Sequence, residues 1–100
     1  MNQQAMMRLK KMQKEMMQKQ NELMDTVFTG TAGGGMVSVD VKGDHSVVSI
    51  KVDPDAFESK DDIEMICDSI VAAINDANNK IDQKTADIMG PFAGGMPGLF

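Results

Sequence analysis

Between Met36 and Asp53 the chain carries two runs of alternating apolar and polar residues with a turn between them, and this pattern narrows the possible folds sharply. Val37, Val39 and Val41 fall on one side and Ser38, Asp40 and Lys42 on the other, so Met36 to Lys42 reads as a half-buried strand. Gly43-Asp44 follows, and a second strand from His45 to Asp53 sets Val48, Ile50 and Val52 on one face. Gly-Asp between two alternating strands is a hairpin signal. Pro54 has no N–H to give to a ladder and closes the sheet. A two-stranded hairpin with one apolar face is not stable in water by itself, so the rest of the chain must cover it.

A further short β segment is expected at Thr26 to Thr31, around Val27 and Phe28, with Gly33-Gly34-Gly35 as the bend into the hairpin. The three glycines are not followed by Gly-Lys-Ser/Thr or by a helix, so a phosphate-binding loop is not indicated. On either side lie two helical stretches. Residues 2–24 contain no Gly or Pro and are rich in Met, Gln, Lys and Leu, all good helix formers. Met6, Leu9, Met12, Met16, Leu23 and Met24 share one broad face of that helix; Leu9, Met12, Met16, Lys19 and Leu23 form a short heptad seam flawed at Lys19. The second helix is expected from Asp61 to Met89. Ser59 with Asp61, Asp62 and Glu64 suits its start, and Ile63, Ile66, Cys67, Ile70, Ile74, Ala77, Ile81 and Ile88 form its apolar stripe. From Gly90 to Phe100 Gly and Pro are frequent and no periodic face continues, so this tail is expected to be flexible.

The expected architecture is α+β: an α-β-β-β-α domain over residues 1–89, with a three-stranded antiparallel sheet and two long helices, followed by the tail 90–100. Its core is thin. The first helix carries more apolar surface than a monomer would leave in water, which points to a symmetric dimer through Met6, Leu9, Met12, Met16 and Leu23.

Charge is distributed unevenly along the chain. The net charge is −5, yet residues 1–24 hold five basic and two acidic residues while the remainder holds five basic and thirteen acidic. A basic helix on an acidic body can neutralise phosphates with Arg8, Lys10, Lys11, Lys14 and Lys19, giving a salt-sensitive affinity without sequence preference. The plain alternative is a solvated face that keeps an amphipathic helix soluble.

Other classes have less support. One Cys and one His cannot build a typical structural zinc site in one chain, and no cofactor motif is present. Cys67, among apolar neighbours, reads as a buried structural thiol, and His45, beside a turn, as exposed and without a role. Asp53-Pro54-Asp55 has the form of turn and cap residues, and no nucleophile–His–acid set is suggested, so an enzyme is not expected. The longest strictly apolar run, Ile70 to Ile74, is too short to span a membrane, and no signal peptide is apparent. The cytoplasm is the expected location.

Several strings, in this order and spacing, resemble the YbaB/EbfC family over essentially the whole chain. They are Met6-Met7-Arg8-Leu9-Lys10-Lys11-Met12-Gln13, Gly33-Gly34-Gly35-Met36-Val37, Asp53-Pro54, Ala73-Ile74-Asn75-Asp76-Ala77, and a Gly/Pro tail ending in Leu99-Phe100. The resemblance implies a tweezer-like homodimer with helices as arms, association with the bacterial nucleoid, and binding of double-stranded DNA with little sequence discrimination. Asn79, Lys80 and Lys84 on the second helix are weaker DNA-binding candidates, because acids surround them. The alternative is a dimeric adaptor recruiting replication or repair proteins, with DNA contact incidental. A membrane-surface role for the Met-rich helix is less favoured, since Met stands where Trp or Phe anchors would be expected.

Overall fold

In a computed structural model, which describes residues 2–56 and 58–93, the chain forms helix α1 (Gln3–Asp25), strands β1 (Val27–Ala32), β2 (Val37–Lys42) and β3 (Val47–Val52), and helix α2 (Asp62–Ala93). The strands form one antiparallel sheet in the order β1-β2-β3. The expected α-β-β-β-α order and α+β class are observed.

The valine alternation does what its period requires. Val37, Val39 and Val41 are buried with Ala73, Ala77 and Ile81 of α2, and Phe28, Ala32, Val52, Ile70 and Ile74 pack around them. Burying a valine or isoleucine fully contributes about 1.5–3 kcal/mol, so this small cluster supplies most of what holds the layers together. The opposite face is polar: Asp40 accepts hydrogen bonds from Thr29 Oγ1 at 2.8 Å and Ser49 Oγ at 3.2 Å, tying all three strands together.

Helix α2 lies on β1 and β2 rather than across the whole sheet. Gly30 permits this close approach. A Cβ there would run into the Ala73 carbonyl oxygen and sit 2.6 Å from the Ala77 amide nitrogen. Gly43 does the same for α1, because a Cβ would collide with the backbone of Leu23 at the end of that helix.

The hairpin between β2 and β3 is more irregular than a plain Gly-Asp turn. The Lys42 carbonyl accepts from the His45 N–H at 2.8 Å, and His45 sits at φ 71°, in the left-handed region. A register shift opposite Asp40 and Val41 places Val47, not Val48, across from Val41. This bulge breaks the alternation that put Val48 on one face with Ile50 and Val52.

Helix α2 extends four residues beyond its expected end at Met89, through Gly90, Pro91 and Phe92 to Ala93. A proline this near a C-terminus removes only one intrahelical bond, so the turn survives it. The rest of the expected tail, 94–100, lies outside the described residues. Cys67 differs from expectation as well: it is exposed. The first turns of α2 have no third strand beneath them, and the flank carrying Ile63, Cys67 and Val71 stays open.

Candidate nucleic-acid interface

Helix α1 begins at an Asn2 cap, whose Oδ1 accepts from the Ala5 N–H at 2.8 Å, and continues without interruption to Asp25. Twenty-three residues at 1.5 Å each make a rod of about 35 Å. Only its C-terminal end is held by the body. Leu23 is buried, Gln20 Nε2 donates to Met89 Sδ at 3.8 Å, and Lys19, Glu22 and Thr26 share a groove with Lys84 and Ile88 of α2. Met12 and Met16 are half-buried, whereas Met6 and Leu9, nearer the N-terminus, are exposed. The two helices thus run side by side away from the hairpin end of the sheet.

The basic residues are disposed around this arm unequally. Arg8, Lys10, Lys11, Lys14 and Lys19 are all exposed. At 100° per residue, Lys10, Lys11 and Lys14 fall within about 100° of one another on the side opposite Met12, Met16 and Leu23. Lys10 and Lys14 border a shallow groove with Gln13, Met17 and Asn21, a surface of ammonium groups and amides free of carboxylates. Glu15 and Glu22 fall between Lys11 and Arg8 around the helix, so Lys10 and Lys14 form the most uniformly positive part of the arm.

On α2 the three weaker candidates separate. Asn79 and Lys84 are exposed. Lys80 is already engaged: its Nζ donates to the Thr29 carbonyl at 2.7 Å and lies 3.5 Å from Asp76 Oδ2. Asp76 Oδ2 in turn accepts from the Thr31 N–H at 3.0 Å. Thr29 and Thr31 are the positions whose backbone groups point away from β2, so this pair closes the outer edge of β1. That relation could not be foreseen, because it joins residues more than forty positions apart.

The Thr31 N–H, and after it the Lys80 ammonium, hold the Asp76 carboxyl below its ordinary range. A depressed carboxylate contributes stability that is present above its unfolded pKa and lost as pH falls through its folded value. Asp76→Asn is therefore expected to lower the melting temperature at neutral pH and to flatten its decline on acidification below about pH 4. Thermal melts of both proteins across that range check this; parallel curves would show that the edge clasp contributes nothing. Asp44, in the hairpin, is likewise depressed, chiefly by the Ser46 hydroxyl and then by the Ser46 N–H. His45 Nδ1 lies 3.0 Å from Asn78 Oδ1, a hydrogen bond that ties the hairpin to α2 and gives His45 a structural role.

Among the described residues no group of His, Cys, Asp and Glu side chains is arranged to hold a metal ion. Among them also, no helix is long and apolar enough to cross a membrane. The chemistry this surface offers is the pairing of Lys and Arg with anions.

Comparison with known proteins identifies the family. The model of the YbaB/EbfC DNA-binding family matches residues 1–96. The chain belongs to this family. A nucleoid-associated protein of Oceanobacillus iheyensis is 46% identical over 88 residues, covering 86% of this chain and 84% of the relative. One from Chloroflexus aurantiacus is 42% identical over 101 residues, with both chains covered completely. The crystal structure of an uncharacterized protein from Helicobacter pylori superposes with a TM-score of 0.65 at 28% identity, covering 84% of this chain and 96% of the other. As a member of the YbaB/EbfC family the chain has relatives named for nucleoid association and DNA binding, and not for catalysis.

Proposed function

We propose that this YbaB/EbfC protein binds double-stranded DNA as a homodimer, with little sequence discrimination, in the bacterial nucleoid. The observation that carries the reading is the placement of Lys10, Lys11 and Lys14: exposed together on the free part of a helical arm, on a chain of net charge −5. Ammonium groups on a rigid rod can follow a phosphate backbone, and the acidic body would confine contact to the arms. Arg8 and Lys19 extend the surface on α1, and Asn79 and Lys84 add to it from α2. Lys80 serves chiefly to hold β1.

Dimerisation is supported by the apolar surface that one chain leaves uncovered. Leu23 is consumed inside the protomer, so Met6, Leu9, Met12 and Met16 are the part of the seam free to meet a second copy. Two arms double the phosphate contacts and raise affinity by avidity. Compaction and altered gene expression would follow from coating DNA in this way.

Mobility shifts with several unrelated duplexes across a salt series test the reading. Dissociation constants are expected to agree within a few-fold between sequences and to rise steeply with salt, each neutralised phosphate adding about 0.9 to the log–log slope. Strong preference for one duplex with a shallow slope would point to base readout. No binding at low salt would leave the adaptor reading, in which replication or repair proteins are the partners.

A further inference from the structure

Single exposed apolar side chains are ordinary on a protein surface, but the two most exposed among the described residues lie together. Met7 is 68% accessible and Met17 60%. Neither belongs to the face of Met12, Met16 and Leu23. Gln3, Met7, Lys10, Lys14, Met17 and Asn21 follow one another at steps of three or four, so they form one stripe along α1, and all six are exposed. Met7 precedes Lys10 by three residues and Met17 follows Lys14 by three. Two shallow grooves that meet at Lys10 run beside the stripe, one at Met7 and the other at Met17, and neither has a carboxylate in its wall. Lysine and glutamine suffice to keep such a face solvated, and an exposed thioether adds nothing to solubility. What it adds is chemistry: an oxidant converts it from an apolar group to a polar one, and the change is reversible.

We propose that Met7 and Met17 are oxidation sites through which peroxide weakens the binding of DNA by α1. The inference rests on the DNA-binding reading above and adds a chemical control to it. The sulfur lone pair attacks one oxygen of hydrogen peroxide, and the O–O bond breaks. The departing hydroxide takes the proton from the oxygen left on sulfur and becomes water. Sulfur gives up two electrons and ends as the sulfoxide, while the peroxide is reduced. The sulfoxide oxygen carries partial negative charge and accepts hydrogen bonds. Residues three apart on a helix are neighbours, so this oxygen comes beside Lys10 at Met7 and beside Lys14 at Met17. Each offers its lysine an acceptor within the same arm, in competition with a phosphate, and turns a negative dipole toward the DNA. Both effects oppose binding. Met12 and Met16 are half-buried on the opposite face and less open to the oxidant.

The test uses the full chain in a Cys67→Ser background, so that the exposed thiol does not react. The parent and a Met7→Leu, Met17→Leu variant are treated with hydrogen peroxide, and mobility shifts compare each protein with its own untreated form. The parent is expected to lose affinity by about tenfold, the size of one diverted charge-assisted hydrogen bond. Peptide mass spectrometry should find sulfoxide at Met7 and Met17 ahead of Met12 and Met16. Methionine sulfoxide reductases for both epimers should restore binding. The leucine variant keeps apolar bulk without sulfur, so peroxide should change its affinity little. An oxidised parent that binds as tightly as before, or a leucine variant that loses as much as the parent, overturns the oxidation sites and leaves the DNA-binding reading intact. An untreated parent that binds no DNA at low salt overturns both.

Discussion

Replacing Gly30 with Ala is expected to be among the most damaging single substitutions in this protein, lowering the melting temperature by about 10 °C. Nothing about Gly30 depends on an unusual backbone angle; what matters is that α2 lies directly against it. The added methyl would meet the Ala73 carbonyl oxygen and the Ala77 amide, which are helix backbone and cannot rotate away as a side chain could. The helix would have to lift from β1, loosening its contact with Val37, Val39 and Val41 as well. Overpacking a well-fitted core typically costs about 1–3 kcal/mol, and for a domain of this size each kcal/mol shifts the melting point by about 4–8 °C. Gly30→Val should prevent folding altogether. Thr31→Ala is the matched control, because the Thr31 side chain is exposed and its N–H, which Asp76 uses, is retained. Thermal melts of the three variants suffice: if Gly30→Ala melts within a degree or two of the parent, α2 does not rest on β1 as described.

How much of this could be read from the chain varies with the distance over which each feature acts. The β2–β3 hairpin was legible because a two-residue period and a Gly-Asp turn are local, and the helices were legible because their stripes repeat every three or four residues. The importance of Gly30 was not legible, since a lone glycine in a strand looks the same whether or not a helix presses on it. The role of Lys80 was hidden for the same reason: its partners, the Thr29 carbonyl and Asp76, come together only when α2 lies along β1. Cys67 was misread because a stripe tells which side of a helix is apolar, not how far the sheet beneath it reaches. At the other end Gly90-Pro91 reads as a stop, yet near a helix terminus one missing N–H is a small loss. For the interface, the charge asymmetry was visible in the counts. Only the fold shows that Lys10, Lys11 and Lys14 stand clear of the body while Lys80 is held against it.

Changing Lys10, Lys11 and Lys14 together to Gln is expected to weaken DNA binding by about a hundredfold or more at 0.1 M salt while leaving the fold unchanged. Glutamine keeps the helix propensity and the length of the arm, so the charge is the variable removed. Within the protomer none of the three lysines makes a hydrogen bond or ion pair with the described residues, and all are exposed, so stability should change little. In a homodimer six positive charges disappear. If each meets a phosphate, the log–log salt slope should shrink by roughly 5, because each neutralised phosphate contributes about 0.9. Unrelated duplexes should lose affinity by the same factor, since phosphate contacts carry no base information. Lys80→Gln provides the contrast: it should lower the melting temperature by opening the β1 clasp and leave the salt slope nearly where it was. The reverse pattern, a triple variant that binds as tightly as the parent beside a Lys80 variant that does not, would move the interface from the free arm of α1 to α2. If neither variant alters binding, the lysines of α1 are a solvated face, and the adaptor reading takes precedence.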